Sequence, residues 1–327
     1  MPMHGTIDVH AHFLPPVYRD ALLKAGLTTL DGGVPVPDWS PEAALELMDQ
    51  IGVAGALLSV SSPHVSFLPT DEAIVLCRAV NDYAADLCRQ HPERFGAYAV
   101  LPLQDIPVSL VELDRALDTL NLDGVALPTH VDGAYLGDTR FEPLLEALNK
   151  RGVTVFIHPT APACFESFGL ALPAPMIEFP FETTRTVASL IFSGALERHS
   201  NIKFILPHAG GTLPFLATRI AGIGSIPVMG PRAKPPPETL TALARLHYDT
   251  ALSATPHQIA ALRAIAPISQ ILYGTDFPFA PAMAAHMGEA QFQALPFTPE
   301  EREQVRFGNA RRLFAPFAAR CCGGLHL

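Results

Sequence analysis

Ile7-Asp8-Val9-His10-Ala11-His12-Phe13 decides how the rest of the chain is read. Ile7 and Val9 alternate with Asp8 and His10, the period-two pattern of a strand. Residues i and i+2 of a strand share a face, so His10 and His12 present two imidazoles side by side, about 6–7 Å apart at Cα. Neutral imidazole is a common nitrogen ligand of zinc and its neighbours, and the pair suits two positions around one ion. Pro15-Pro16 follow at once and end the strand, leaving the pair at its C-terminal tip. Two surface histidines at a strand end would look the same, so residues further along must decide between the readings.

Outward from this stretch the chain alternates. Ser40 caps a helix that has Pro41 at its first position and continues through Leu45, Met48 and Ile51 at helical spacing. Residues 54–60 are a nearly unbroken apolar run, as expected of a parallel strand covered on both faces. Further strands are predicted over 95–101, 123–127, 153–157, 202–206, 246–248 and 271–273. Helices are predicted over 71–90, 108–120, 141–150, 183–197, from about 213, over 257–265 and over 299–314. Eight strand–helix units in a row predict an α/β fold, a parallel (β/α)8 TIM barrel spanning 1–327 as a single domain. A doubly wound sheet is the rival, but no Gly-x-Gly-x-x-Gly follows the first strand. Long irregular stretches are expected at 14–40, 159–180, 222–243 and 277–298. All but 222–243 follow a strand directly and so lie on the C-terminal face, where such barrels place their sites.

Composition bounds the function. At 327 residues and 49% apolar, the chain can bury a large core. Mean hydropathy is +0.24, with no uninterrupted apolar run of eighteen residues to span a membrane. No basic segment followed by an apolar one opens the chain, so no secretion signal is expected. Five cysteines, Cys77, Cys88, Cys164, Cys321 and Cys322, are odd in number and lack zinc-finger spacing, which fits a reducing cytoplasm. A net charge of −10 without a basic cluster argues against nucleic acid and anionic membranes as partners. An acidic small molecule stays compatible, because a metal ion reverses the local field.

Five acid or imidazole residues fall at strand tips on the C-terminal face: His10, His12, His158, His208 and Asp276. Strands one and eight are neighbours in a closed barrel, so Asp276 can reach the His-x-His pair. Strands five and six bring His158 and His208 from across the mouth. Three histidines and a carboxylate make a divalent metal site with a position left for water or substrate. Each residue alone could be a hydrogen-bonded strand end; five together form a pattern.

These segments resemble the amidohydrolase superfamily, specifically the amidohydrolase-2 group that includes aminocarboxymuconate-semialdehyde decarboxylase. The resemblance rests on Asp-Val-His-Ala-His at 8–12, Ile-His-Pro at 157–159, Pro-His-Ala-Gly-Gly at 207–211 and Tyr-Gly-Thr-Asp-Phe-Pro at 273–278. Ser-Val-Ser-Ser-Pro at 59–63, Tyr-Leu-Gly-Asp at 135–138 and Phe-Pro-Phe-Glu-Thr-Thr-Arg at 179–185 look most like the 6-methylsalicylate decarboxylase branch. The resemblance implies that His10, His12, His158 and Asp276 bind zinc, or manganese as in some relatives. His208 would be the acid/base histidine beside the metal. It implies decarboxylation of an aromatic or unsaturated carboxylic acid without an organic cofactor, and commonly a homodimer. The superfamily's carboxylated lysine has no candidate, because strand four ends Leu127-Pro128-Thr129, so one metal is expected.

The chemistry is coherent. A salicylate-type acid chelates a divalent cation through its carboxylate and ortho hydroxyl; protonation of the ring carbon then allows loss of carbon dioxide. Asp276 or His208 could supply the proton. Hydrolysis of a lactone, ester or amide by a metal-bound water is the alternative activity, and a non-catalytic binding barrel is a third. Trp39, Phe165, Phe168, Phe277 and Phe279 are candidate walls of an aromatic pocket, although most phenylalanines are core. Arg219, eleven residues after His208, could meet the substrate's anionic group or form a structural ion pair. Asp249 could orient a ligand histidine or cap a helix. His64 and His130 follow strands two and four and could line the pocket, but read more simply as polar loop residues, and His247 as a barrel residue.

Overall fold

Short apolar runs supply eight parallel strands, each covered by helices outside and by packed side chains inside. A computed structural model, which describes residues 5–321, places them at β1 (Thr6–His12), β2 (Val53–Ser59), β3 (Phe95–Ala99) and β4 (Gly124–Pro128). The second half holds β5 (Thr154–His158), β6 (Lys203–Leu206), β7 (His247–Asp249) and β8 (Ile271–Leu272). They pair in chain order from β1 to β8. Backbone bonds from Val9 N to Tyr273 O (3.0 Å) and from His12 N to Phe277 O (2.7 Å) bridge the last gap. The expected TIM barrel is therefore present. His4, Cys322 and His326 lie outside the described residues.

The barrel is filled rather than hollow. Ile7 and Val9 of β1 meet Leu57, Tyr98, Phe156, Ile205 and Leu272 from other strands. Phe314 and Phe317, at the C-terminal end of the chain, join this cluster and plug the base. Each such aromatic side chain stabilises by roughly 2–3 kcal/mol when taken fully out of water. With the base closed, the interior of the barrel, among the described residues, opens toward the mouth.

The stretches expected to be irregular carry hidden helices. Pro16–Lys24 and a two-residue hairpin (Thr29–Leu30 with Val34–Pro35) occupy 14–40. The helix expected at 183–197 begins at Ala174, runs to Phe192, and is followed by a separate turn at Ala195–Arg198. Pro236–Ala244 and Ala282–Ala294 are also helical. Their prolines obscured them: Pro16, Pro175 and Pro236 sit in the first turn, where a missing N–H costs nothing. The terminal helix breaks into a wide turn at Gln304–Gly308 and a further helix at Ala315–Cys321. No single helix among the described residues is long and apolar enough to cross a membrane.

Candidate metal centre

The pairing of β1 with β2 shifts register between Asp8 and Ala11, an irregularity that re-aims the side chains of the first motif. Asp8 holds that irregularity in place. Its carboxylate accepts from His10 N (2.9 Å), from Thr275 N (3.2 Å) and from Thr275 Oγ1 (2.6 Å), tying β1 to the segment that carries Asp276. Gly274 lets that segment approach: a Cβ there would lie 2.9 Å from the Cβ of His10.

The result is a tight convergence. One potential ligand atom each from His10, His12, His158 and Asp276 lies within 4.8 Å of the others, and all four residues are buried. Every imidazole is held from behind. His10 Nδ1 donates to Asp249 Oδ2 (2.8 Å), and His158 Nδ1 to Pro159 O (2.8 Å). His12 Nδ1 lies 3.2 Å from Ser59 O and 2.9 Å from Ser59 Oγ. With the protons on Nδ1, the three Nε2 lone pairs point inward. His10 Nε2 and His12 Nε2 are 3.2 Å apart, and Asp276 Oδ1 stands 3.3 Å and 3.0 Å from them. Asp276 Oδ1 is buried with no hydrogen-bond partner. Lone pairs and a carboxylate oxygen facing one another without donors repel; a divalent cation resolves that repulsion, so the residues fit a metal.

The electrostatics agree. Burial, then the neighbouring imidazoles, hold His158 well below the usual histidine range. Burial also lowers His12. Burial would lower His10 as well, but Asp249 and Asp276 beside it push it up to about 10. Burial works to raise Asp276, yet His10, His12 and His208 hold it well below the ordinary carboxylate range. The centre is thus built to surround one positive charge.

His208 stands just outside this group, with Nε2 3.4 Å from Asp276 Oδ2. Its backbone N–H donates to Asp249 Oδ1 (3.0 Å), so one carboxylate fixes both His10 and His208. His208, Ala209 and Asp276 have φ of 54°, 55° and 66°, left-handed conformations that non-glycine residues adopt at a cost. Such strain gathers where surrounding structure over-determines a site.

A cavity of about 330 Å³ opens over the group and is lined by His158, His208, Asp276, Phe179, Phe279 and Asp31, among others. That volume suits a small organic ligand. Phe279 also meets His12 edge-on at 5.5 Å. A larger groove of about 920 Å³ lies at the opposite end of the barrel, around Lys203 and His247, and contains none of these residues.

Two expected pocket residues are elsewhere. Trp39 packs edge-on against Phe13 (6.1 Å) and does not line the cavity. Arg219 is exposed on the helix Leu213–Ile223 and is not among the cavity residues of this chain. That helix buries Leu213, Ala217 and Ala221, a spacing of four, and Arg219 falls two residues past Ala217 on the opposite side. Phe165 and Phe168 flank a separate hollow beside the mouth. His64 is buried, its ring 5.9 Å from that of His158, and His130 Nε2 donates to Ala161 O (3.0 Å). Ser59 stands behind His12, whereas Ser61 lines the cavity, its Oγ 3.4 Å from the inward His158 Nε2. Asp31 lines the cavity without any sequence signal, since nothing in a loop of 14–40 marks one acid over another.

Closed parallel strands with every candidate ligand at a strand's C-terminal tip define a TIM barrel of the enzyme type. The amidohydrolase family model matches residues 7–315, and the chain belongs to that family. Decarboxylase macB of Penicillium terrestre is 38% identical over 331 residues, covering 95% of each chain. The 6-methylsalicylic acid decarboxylase of Penicillium expansum is 37% identical, covering 94% of this chain and 95% of that one. Among solved structures, 2,6-dihydroxybenzoate decarboxylase complexed with 2,6-dihydroxybenzoate matches with a TM-score of 0.81. It is 26% identical and covers 96% of this chain and 100% of the other.

Proposed function

We propose that this protein is a metal-dependent, non-oxidative decarboxylase of a salicylate-type aromatic acid, with 6-methylsalicylate a candidate, acting as a single domain. The observation that carries this reading is the inward convergence of three imidazole lone pairs and the partnerless Oδ1 of Asp276, whose other oxygen meets His208. Near-full-length identity of 37–38% to decarboxylases supports the same class.

His10, His12, His158 and Asp276 would hold one divalent ion, zinc by their nitrogen-rich donor set, with manganese the alternative. A divalent cation bound there supplies Lewis acidity to the carboxylate and ortho hydroxyl of the acid. The chain's own residues do the rest. Asp249 holds His10 and the His208 backbone, and Phe279 walls the ring. His208, with Asp276 3.4 Å away, delivers a proton to the ring carbon that bears the carboxylate. The carbon–carbon bond breaks, its electrons restore the aromatic ring, and carbon dioxide leaves.

We also place the protein in the cytoplasm as a homodimer. Supporting this, Cys77, Cys88 and Cys164 form no disulfide. Phe181, Phe215, Ile223, Ile226 and Val228 expose apolar surface on neighbouring helices and turns, with Phe215 87% exposed. The test of function is chelation. Treated protein should release no carbon dioxide from salicylates, and restoring one equivalent of zinc or manganese should recover it. Undiminished turnover by thoroughly metal-free protein would remove this reading.

A further inference from the structure

The groove of about 920 Å³ at the base of the barrel takes no part in the chemistry above. Lys203 opens β6 and His247 opens β7, while Arg245 precedes β7 and Arg312 comes from the helix Asn309–Leu313. Three distant segments thus bring these side chains to one groove. No run of basic residues in the sequence announces them.

The cations are uncompensated. Elsewhere carboxylates take up arginines, as in Arg94 with Asp49 (2.7 Å), Arg151 with Asp118 (2.8 Å) and Arg198 with Glu142 (2.8 Å). Among the described residues Lys203, Arg245 and Arg312 form no ion pair. A net charge of −10 shows that acids are not in short supply. Arg312 donates to Ser269 O (2.8 Å) and Asn309 Oδ1 (2.6 Å), which fix its guanidinium without neutralising it. The two carboxylates of the groove are engaged elsewhere. Glu197 accepts from Lys234 Nζ (2.6 Å). Glu238 sits in the first turn of Pro236–Ala244, where a helix N-terminus favours negative charge.

His247 lines the same groove, is only 9% exposed, and has an Nδ1 without a hydrogen-bond partner. Burial first, then Lys203 and Arg312, hold its imidazole below the ordinary histidine range, and no carboxylate among the described residues offsets them. A buried, unpartnered polar atom beside uncompensated charge destabilises a fold. An anion in the groove offsets those cations. Leu196, Ile202, Phe204, Leu246 and Leu313 add apolar surface, and the volume suits a small organic molecule.

We propose that this groove is a second binding site, for an organic anion: a carboxylate or phosphate head held by Lys203, Arg245 and Arg312, with an apolar body against Ile202, Leu246 and Leu313. It stands apart from the metal centre, at the other end of the barrel, and does not depend on the reaction performed there.

Calorimetric titration with octyl phosphate, octanoate, 1-octanol and inorganic phosphate tests this. The better of the two amphipathic anions should bind at least about tenfold more tightly than the alcohol, as charge-assisted contacts imply, and its identity gives the head group. Inorganic phosphate, without an apolar body, should bind more weakly than that anion. Lys203→Glu with Arg245→Glu reverses two cations whose side chains make no hydrogen bond. The double variant should melt like the wild type and lose about tenfold or more in anion affinity. Binding at the mouth would survive that change, so the loss reports the groove. The His247 ring signal in NMR, assigned by its absence from His247→Gln, should shift as the anion is added. If the double variant melts early, Lys203→Ala with Arg245→Ala takes its place. Anion affinity no better than that of the alcohol or of inorganic phosphate, full anion affinity in the folded variant, or an unmoved His247 signal would overturn the site.

Discussion

Asp249→Asn changes one atom type and should disable the metal centre. Asp249 Oδ1 accepts from His208 N and Ala251 N, both at 3.0 Å, so the remaining oxygen of an asparagine must stay there. The new amide N–H2 then faces His10 Nδ1, 2.8 Å away, where the native carboxylate oxygen accepts. Two donors cannot share that contact. His10 must move its proton to Nε2, which points at His12 Nε2 and Asp276 Oδ1, and its inward lone pair is lost. Turning the tautomer back leaves a buried donor unpaired, at about 1–3 kcal/mol. Metal affinity should fall about 10–100-fold, the range for a lost partner behind a ligand histidine. Competition against a chelator of known affinity measures this, with elemental analysis for occupancy and thermal melting to confirm the fold. Wild-type affinity in a folded Asp249→Asn protein would refute the reasoning.

Three other outcomes follow from the same geometry. His208→Ala should keep its metal and lose turnover by roughly 10²–10⁴, because His208 lies outside the four converging residues; retained turnover would take it out of the reaction. Phe215→Glu puts a charge on the apolar face and should give a monomer by light scattering where the wild type is a dimer; a monomeric wild type at micromolar concentration would contradict the assembly. Burial holds His247 down to about 4, so the folded state favours neutral imidazole. The stability it contributes is present above pH 6.5 and is lost as pH falls toward 4, up to about 3 kcal/mol. Urea unfolding of His247→Gln should show a correspondingly shallower acid loss; equal slopes for variant and wild type would count against it.

Much of the site was legible because strand tips are easy to locate. A period-two run that ends in proline, as at Ile7–Phe13, fixes which residue reaches the mouth, and the same logic places His158, His208 and Asp276. The close approach of His10 and His12 depends on the irregularity between Asp8 and Ala11, which no alternation pattern reveals. Asp249 could be suspected from its place at the end of β7, whereas its double attachment needed the fold. Trp39 belongs to a loop that reaches the mouth, but its ring packs edge-on against Phe13, a partner that only the fold brings to it. Arg219 lies off this chain's cavity because of helical phase, which sequence spacing from His208 does not show. Asp31 had no periodic neighbour, so only the fold shows that its hairpin reaches the cavity.

The most direct test of the account is product analysis in heavy water. Metal-loaded protein is given a salicylate-type acid labelled in its carboxyl carbon. The label should leave as carbon dioxide, one per phenol formed, and one deuterium should appear on the ring carbon that carried the carboxylate. An intact carboxylate with no ring deuterium, while the same sample hydrolyses a lactone or ester, would contradict the account.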